Sequence, residues 1–196
     1  MDSASKDSTR ELVEGRAAEL EQVRYLISPE SGRAAQLNYG AQQAKGNVFL
    51  FVHADTLLGL GFEKDLLQFF ELGKVWGFCK VQFDSPKAKF RMLAFMINLR
   101  SRLTQISTGD QSQFITRQAF FSMGGYPSQP LMEDVELSKI LKHESKPFIS
   151  EAYCKTASRK WESEGFWRTV LLMWRLRYRY WRGADVADIH RAYYRS

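Results

Sequence analysis

A strand–helix–strand succession near the start of the chain is the feature that most constrains the fold. Residues 23–28 predict a short strand that ends at a proline, residues 33–44 predict a helix, and residues 48–53 form an uninterrupted apolar run of strand length. A helix that joins two strands of one sheet usually returns the chain in the same direction, through a right-handed crossover. The succession therefore predicts an α/β fold with a mainly parallel sheet flanked by helices.

The rest of the sequence continues this alternation. Helices are predicted over residues 8–22, 60–72, 87–106, 118–123, 135–143 and about 165–182, and strands over residues 75–83, 112–116 and about 148–154. The chain has 196 residues, and we find no internal repeat, low-complexity segment or linker in it. This length suits one well-buried domain.

Composition narrows the class of protein. There is no apolar run near 18 residues and no apolar signal region at the start, which predicts a cytoplasmic or peripheral protein. Cys79 and Cys154 lie far apart, so neither a disulfide framework nor a zinc site is expected. The net charge of +6 indicates a polyanionic partner, namely an anionic membrane surface, a phosphorylated substrate or nucleic acid. No nucleic-acid motif accompanies the charge, so we expect no nucleic acid.

A carboxylate follows the apolar run of residues 48–53. Asp55 would lie beyond the carboxyl end of that strand, where open α/β sheets bind their ligands. A carboxylate there can coordinate a hard divalent cation that bridges phosphate oxygens. It can equally cap the next helix or turn. The segment alone leaves both roles open.

Two adjacent acids, Glu133 and Asp134, precede a predicted helix in the segment PLMEDVELSKIL. An acid at a helix start satisfies free backbone N–H groups, which is worth roughly 0.5–2 kcal/mol. Neighbouring carboxylates also oppose each other's ionisation, and this can raise the pKa of one of them toward that of a general base. Capping and catalysis both stay open.

A third polar segment, STGDQSQF, carries Asp110 and Gln111 between a basic helix and a strand. An acid and an amide are suited to hydrogen bonding with sugar hydroxyls. A Gly-Asp pair is also an ordinary turn signal. This segment is therefore a binding candidate only in combination with the others.

Together these segments resemble glycosyltransferase family 2 in order and spacing. GRAAQLNYGAQQAKGNVFLFVHADT is similar to the block that leads into the family's metal-binding acids, and GGYPSQPLMEDVELSKIL is similar to its acceptor-side block. MDSASKDST at the start is similar to the segment that ends the family's second strand. TGDQ and RKWESEGFWRT look most like the radical-SAM/selenodomain-associated transferase subgroup. The likeness covers nearly the whole chain.

The resemblance implies a Rossmann-like GT-A fold and inverting transfer from a nucleoside-diphosphate sugar to an unidentified acceptor. It divides the chain into a nucleotide-binding part over about residues 1–58, an acceptor part over about 75–164 and a C-terminal helix over about 165–182. The roles it implies are Asp134 as catalytic base with Glu133 beside it, Asp2, Arg33 and Asn38 at the donor nucleotide, Asp55 on Mg2+ or Mn2+, and Asp110, Gln111, Arg159 and Trp161 at the acceptor.

Two features depart from the family pattern. The usual DxD-type triad is His53-Ala54-Asp55 here, with one carboxylate. The family's first strand and the loop after it would precede Met1. Since that strand normally lies inside the sheet, we expect an N-terminally truncated fold with an exposed apolar sheet edge and an incomplete nucleotide pocket.

The C-terminal helix has two adjoining stripes. At 100° per residue, its arginines fall within about 60° of one another, and its aromatic stripe is about 80° wide. The arginines are Arg168, Arg175, Arg179 and Arg182, and the second stripe is Trp167, Leu171, Trp174, Tyr178 and Trp181. This arrangement suits an amphipathic helix at an anionic membrane interface. It equally suits a helix that packs its aromatic side on the domain and solvates its arginines.

The sequence thus predicts a metal-assisted glycosyltransferase that uses a nucleotide sugar. The alternative is a truncated, non-catalytic relative that binds an anionic membrane or a partner protein. The absence of the family's first strand from these residues favours the alternative, and cation-dependent binding of a nucleoside diphosphate would separate the two.

Overall fold

A five-stranded sheet lies at the centre of the computed structural model, which describes residues 1–2, 7–20 and 22–194. Its strands are β1 (Val48–Leu50), β2 (Thr56–Leu58), β3 (Trp76–Phe83), β4 (Gln113–Thr116) and β5 (Phe148–Thr156), in the spatial order β1-β4-β3-β5-β2. The strands predicted at residues 75–83, 112–116 and 148–154 are confirmed, and β2 was not predicted.

Helices flank this sheet. They are α1 (Thr9–Glu19), α2 (Arg33–Gln43), α3 (Phe62–Glu71), α4 (Ala88–Thr104), α5 (Arg117–Ser122), α6 (Glu133–Glu144), α7 (Arg159–Ser163), α8 (Phe166–Trp181) and α9 (Val186–Tyr194), with one 3₁₀ turn at Gly109–Gln111. Every predicted helix is confirmed to within a few residues, whereas α7 and α9 were not predicted. The predicted α/β class and single domain are confirmed.

The strand pairing is mixed rather than mainly parallel. β3 and β5 are parallel, while β1–β4, β3–β4 and β2–β5 are antiparallel. The long connection between α4 and β4 lets β4 enter between β1 and β3 in the opposite direction. The pattern of apolar residues does not reveal such a reversal.

The strand predicted at residues 23–28 is reduced to a single parallel bridge between Asp2 and Ile27. The Asp2 N–H donates to the Leu26 carbonyl and the Ser28 N–H donates to the Asp2 carbonyl, both at 3.0 Å. A strand is maintained by its ladder, and Asp2 is the one described neighbour that residues 26–28 pair with. The apolar composition of this segment was therefore not enough to make a full strand.

β1 forms one edge of the sheet. The Phe51 N–H donates to the Gln113 carbonyl at 2.9 Å, so by the alternation of strand backbones the neighbouring Leu50 points its N–H and C=O away from β4. A groove of about 620 Å³ lies beside this edge, between β1, α2 and Met1.

Alternate side chains of β3 supply the core on the two faces of the sheet. Trp76 and Phe78 are buried against Leu137 of α6, whereas Cys79 is buried with Phe69 of α3. The face that carries α6 also carries α2. This packing fixes the starts of both helices near the end of β1, where the candidate site lies.

No helix in the described part of the chain is long and apolar enough to cross a membrane.

Candidate active site

A cavity of about 210 Å³ opens where the start of α2, the end of β1, the 3₁₀ turn, the start of α6 and the side of α8 meet. We call it the central cavity. Its polar wall contains Arg33, His53, Asp110 and Asp134, and Trp161 lies on its apolar wall. Side chains of α4, α7 and α9 also line it, so the fold gathers eight segments that are far apart in the sequence.

Asp134 is held at the cavity by two backbone donors. Its Oδ1 accepts the N–H of Val135 at 2.7 Å, and its Oδ2 accepts the N–H of Gly109 at 2.5 Å. The first bond satisfies one of the free N–H groups at the start of α6. The second joins Asp134 to the TGDQ segment. Asp134 thus satisfies an N–H group in the first turn, as the sequence allowed, although the N-cap of α6 is Met132 and no side chain caps the helix. It also lies on the cavity wall.

Glu133 lies behind Asp134, with a side chain that is 1% exposed, and its Oε1 is 3.0 Å from Arg33 Nε. Oε1 has no well-directed hydrogen bond among the described residues, so the contact is an ion pair by distance only. Burial, and then the charge of Asp134, raise the pKa of Glu133 despite Arg33. Glu133 therefore acts mainly on Arg33 and is turned away from the cavity.

Arg33 is held between both acids and His53. Its Nη2 lies 4.0 Å from Asp134 Oδ2 and is bonded to His53 Nε2. Since a guanidinium only donates, Nε2 accepts and the ring proton lies on Nδ1. Burial, and then the charge of Arg33, lower the pKa of His53. His53 is consequently a neutral ring that orients Arg33, a role that sequence analysis missed.

Gly109 approaches this pair so closely that a side chain would not fit. A Cβ there would overlap Arg33 Nη2 and His53 Nε2. The glycine of TGDQ is thus explained by the close approach of its backbone to the site.

A buried polar network sets the position of α6. Gln113 Nε2 donates to Ser107 Oγ at 2.7 Å, to Ser138 Oγ at 2.9 Å and to the Asp134 carbonyl at 3.1 Å. Tyr126 Oη donates to Gln113 Oε1 at 2.8 Å. All of these side chains are buried. The signal that sequence analysis missed is an amide at the start of strand β4, directly before the apolar pair Phe114 and Ile115.

Asn38 uses both ends of its amide on the backbone of Tyr126. Its Nδ2 donates to the Tyr126 carbonyl and its Oδ1 accepts the Tyr126 N–H, each at 2.8 Å. Gly125, which has a φ of +75°, would place a Cβ 2.6 Å from Asn38 Oδ1. Asn38 therefore shapes this turn, and a contact with a nucleotide stays a prediction.

The four predicted acceptor residues separate into two groups. Asp110, which accepts a hydrogen bond from Thr108 Oγ1, and Trp161 line the central cavity. Gln111 is buried away from it, and its Oε1 accepts from Ser101 Oγ at 2.7 Å. Arg159 is exposed at the start of α7 and does not line the cavity. The structure thus brings Asp110 and Trp161 to Asp134 and leaves Gln111 and Arg159 outside.

Two predicted acids also lie outside the cavity wall. Asp55 is exposed in the turn between β1 and β2, where its Oδ1 is 3.5 Å from Thr56 Oγ1. Asp2 accepts a 2.6 Å hydrogen bond from Tyr25 Oη. Within the described ranges, no cluster of three or more His, Cys, Asp or Glu side chains could hold a metal ion. Asp55 would therefore need ligands from a substrate to complete a metal site.

Arginines from α4 and α8 add positive charge near the cavity. Arg177 lines it and forms no ion pair with any described residue. Burial, and then the charge of Arg177, lower the pKa of Arg100 to about 10. The repulsion between Arg100 and Arg177 would be relieved by an anionic ligand bound at the cavity beside Arg177. Neither residue was singled out from the sequence as part of the site.

Comparison with solved structures supports the fold. Residues 1–349 of TarS from S. aureus superpose with a TM-score of 0.58 at 19% identity, over 80% of this chain and 50% of that one. The mannosyltransferase PcManGT from Pyrobaculum calidifontis, in complex with GDP-Man and Mn2+, superposes with a TM-score of 0.60 at 20% identity, over 90% of this chain and 49% of that one. The chain thus spans about half the length of these proteins.

No curated protein sequence matches the chain significantly. The sequence model described as Glycosyl transferase family 2 matches residues 1–126, which contain Arg33, His53 and Asp110 of the cavity. Asp134 lies beyond the matched residues, so its place in the site depends on the geometry given above. With well over half of its residues matched, the chain belongs to glycosyltransferase family 2.

Proposed function

We propose that this chain transfers a sugar from a nucleoside-diphosphate donor to an acceptor hydroxyl, with inversion, and that Asp134 is the catalytic base. One observation carries the proposal: the Asp134 carboxylate and the guanidinium groups of Arg33 and Arg177 line one cavity. A transferase of this type needs a base beside the acceptor oxygen and cations beside the departing diphosphate.

The chemical step follows from this arrangement. The acceptor oxygen attacks the anomeric carbon of the donor while its proton passes to Asp134. The bond between that carbon and the diphosphate oxygen breaks, and its electron pair leaves with the nucleoside diphosphate. The N–H groups of Gly109 and Val135 hold the carboxylate in position, so that its remaining lone pairs are available to the acceptor. A single displacement inverts the configuration of the anomeric carbon.

The donor side is formed by cations. Arg33, fixed by Glu133 and His53, and Arg177 would bind diphosphate oxygens, since guanidinium groups pair well with phosphates. We propose Asp2 and Asn38 near the nucleoside. The GDP-Man bound by PcManGT, which shares the fold, supports a nucleotide-sugar donor.

A divalent ion fits this site only with the help of the substrate. Asp55 offers one carboxylate, and Mg2+ is commonly held by one or two carboxylates together with substrate phosphates. The Mn2+ bound by PcManGT supports this proposal. When bound, Mg2+ or Mn2+ would neutralise charge on the diphosphate.

On the acceptor side, Asp110 and Trp161 have the position that the proposal requires, because they share the cavity with Asp134. Gln111 and Arg159 would act indirectly, by supporting the loop and by forming the start of α7. We retain the radical-SAM/selenodomain-associated subgroup as part of the proposal, on the strength of TGDQ and RKWESEGFWRT.

A non-catalytic binding protein is the second candidate. The observation that favours it is the open groove beside β1, which lies next to the proposed donor side and shares Arg33 and His53 with the central cavity. If this chain binds no nucleoside diphosphate, the non-catalytic alternative is favoured.

Calorimetric titration of uridine and guanosine diphosphates in the presence of Mn2+ tests the proposal. We expect saturable binding, and we expect Arg177→Gln to weaken it at least about fivefold, because a charge-assisted contact to phosphate is lost. Arg91→Gln, an exposed arginine on α4, is the matched control and should bind as the wild type does. If neither nucleotide binds, or if Arg177→Gln binds as tightly as the wild type, the proposal is contradicted.

A further inference from the structure

The side of α8 that faces solvent is apolar. We call it the outer stripe, and its members are Trp167 (61% exposed), Leu171 (66%), Trp174 (55%), Tyr178 (61%) and Trp181 (74%). They recur at spacings of three and four residues along the whole helix, so they form one continuous line. The sequence also allowed the aromatic side to pack on the domain, and the structure shows that it does not.

Folding does not explain the outer stripe, because α8 already buries its opposite face. Thr169 and Leu176 are 3% and 1% exposed, and Leu176 packs with Val135 of α6 and Ile189 of α9. On the helical wheel Leu176 lies about 180° from Trp167. A helix that is apolar on two opposite sides has a second contact surface, and contiguous exposed apolar patches mark interaction sites.

The charge beside the outer stripe identifies the kind of partner. α8 contains four arginines and no acidic residue, and Arg182 follows as its C-cap. Arg175 and Arg182 lie along one flank, are exposed, and form no ion pair with any described residue. Tryptophan and tyrosine side chains favour the headgroup region of a bilayer, and arginines attract anionic lipid. A linear aromatic stripe with a basic flank fits a helix that lies flat on a membrane.

The other flank of α8 borders the central cavity. Val170, Met173 and Arg177 line that cavity, and so does Trp174, which also belongs to the outer stripe. A surface bound along the stripe would therefore lie beside the cavity. We infer that α8 binds the chain to an anionic membrane surface, with the central cavity next to the lipid headgroups. Membrane binding does not require the proposed transfer activity, so the two can fail separately.

Co-sedimentation of the full chain with vesicles tests this inference. We expect binding to phosphatidylcholine vesicles that contain about 30 mol% phosphatidylglycerol, and much weaker binding to pure phosphatidylcholine. Raising the salt from about 0.05 M to about 0.5 M should release most of the bound protein, because the Debye length falls several-fold.

Two pairs of substitutions separate the contributions of the arginines and of the aromatic side chains to vesicle binding. Arg175→Gln with Arg182→Gln should lower the affinity for anionic vesicles roughly tenfold or more, because each arginine near the surface contributes attraction to the lipid. Trp167→Ser with Trp181→Ser should lower it by a similar factor through lost apolar burial. None of these four residues lines the central cavity.

Matched controls use exposed residues elsewhere. Arg91→Gln with Arg102→Gln removes the same charge from α4, and Leu67→Ser with Phe70→Ser removes exposed apolar side chains from α3. Both controls should bind vesicles as the wild type does. Vesicle binding is compared only among variants whose melting temperature matches that of the wild type. If a double variant unfolds, its two single substitutions are measured instead.

Three results would overturn the inference. The protein could stay in the supernatant with every vesicle, or the α8 variants could bind as tightly as the controls. Alternatively, sedimentation velocity could show self-association that Trp167→Ser with Trp181→Ser abolishes while vesicles remain unbound. The last result would make the outer stripe an interface between copies of the chain.

Discussion

The backbone N–H of Gly109 donates to Oδ2 of Asp134 at 2.5 Å, across 25 residues of sequence. This bond joins the TGDQ loop to the start of α6. The same loop residue lies against Arg33 and His53, which come from two further segments. A single glycine is thus the point where the proposed base and the proposed donor side meet.

We predict that Gly109→Ala disrupts the contacts of this loop with Arg33 and His53. The added methyl group would overlap Arg33 Nη2 and His53 Nε2, so both side chains and the loop must shift. We expect a loss of roughly 1–3 kcal/mol in the free energy of unfolding, the usual cost of adding a methyl group to a site that is already filled. Thermal unfolding followed by circular dichroism measures it.

Gly15→Ala is the control for that substitution. Gly15 lies within α1 and has no positive φ, and a methyl group added there would meet no other atom within 4 Å. Alanine favours the helix by up to about 1 kcal/mol, so this variant should be slightly more stable than the wild type. Equal effects of the two substitutions would contradict the close approach at Gly109.

We predict a pH dependence of stability that originates at His53. Burial, and then Arg33, lower the pKa of His53, so the folded protein binds its proton less readily than the unfolded chain does. The unfolded state therefore takes up the proton first as the pH falls below about 6.5, and the stability contributed by neutral His53 is lost there. Above that pH the contribution is fully present.

The measurement is urea unfolding between about pH 7.5 and 5.5, within the range where histidine titrates. Wild-type stability should fall more steeply toward acid than that of His53→Gln. His143→Gln, at an exposed position near the end of α6, should keep the wild-type slope. A His53→Gln slope equal to that of the wild type would show that the folded protein does not hold the ring neutral.

We predict that nucleotide binding depends on Asp55 when a metal is present. Asp55→Ala should weaken the Mn2+-dependent affinity for nucleoside diphosphates at least about tenfold, or 1.4 kcal/mol, because an oxygen ligand is lost. Without Mn2+, wild type and variant should bind alike. Glu63→Ala, an exposed acid on α3, is the control. Unchanged affinity in Asp55→Ala would refute the metal assignment.

Much of the fold was predictable because its signals are local. The helices α4, α6 and α8 and the strands β3 and β5 each carry a clear periodicity or an apolar run. Asp134, Arg33, Asp110 and Trp161 were chosen from separate motifs, and they line one cavity. The order of the motifs predicted which segments meet because the family resemblance implied a shared site for them.

The remaining features depend on tertiary contacts. β2 has only three residues and exists through its pairing with β5. The direction of β4 depends on the connection over residues 105–112, which contains the 3₁₀ turn. His53, Gln113 and Arg177 acquire their roles from partners far away in the sequence. Gln111 does not line the cavity because its side chain is buried and its Oε1 accepts the Thr108 N–H. Periodicity contains none of this information.

The role of Asp134 is the central claim. Asn keeps one side-chain oxygen that can accept the N–H of Val135 or of Gly109, so Asp134→Asn should lose about one hydrogen bond, roughly 1 kcal/mol, and the melting temperature should fall by only about 2–4 °C. Asn cannot accept the acceptor's proton, so turnover should fall by roughly 10²-fold or more. Asp188→Asn, on the exposed side of α9, is the control and should change neither quantity.

The most direct measurement is the rate of nucleoside-diphosphate release from a panel of uridine and guanosine diphosphate sugars, with water or an added alcohol as acceptor. Our account predicts release by the wild type and the control, a loss of roughly 10²-fold or more in Asp134→Asn, and similar donor affinity in all three proteins. Near-normal release by a folded Asp134→Asn protein would contradict it and leave Asp110, which also lines the cavity, as the candidate base. Absence of release by the wild type with every donor would favour the non-catalytic alternative.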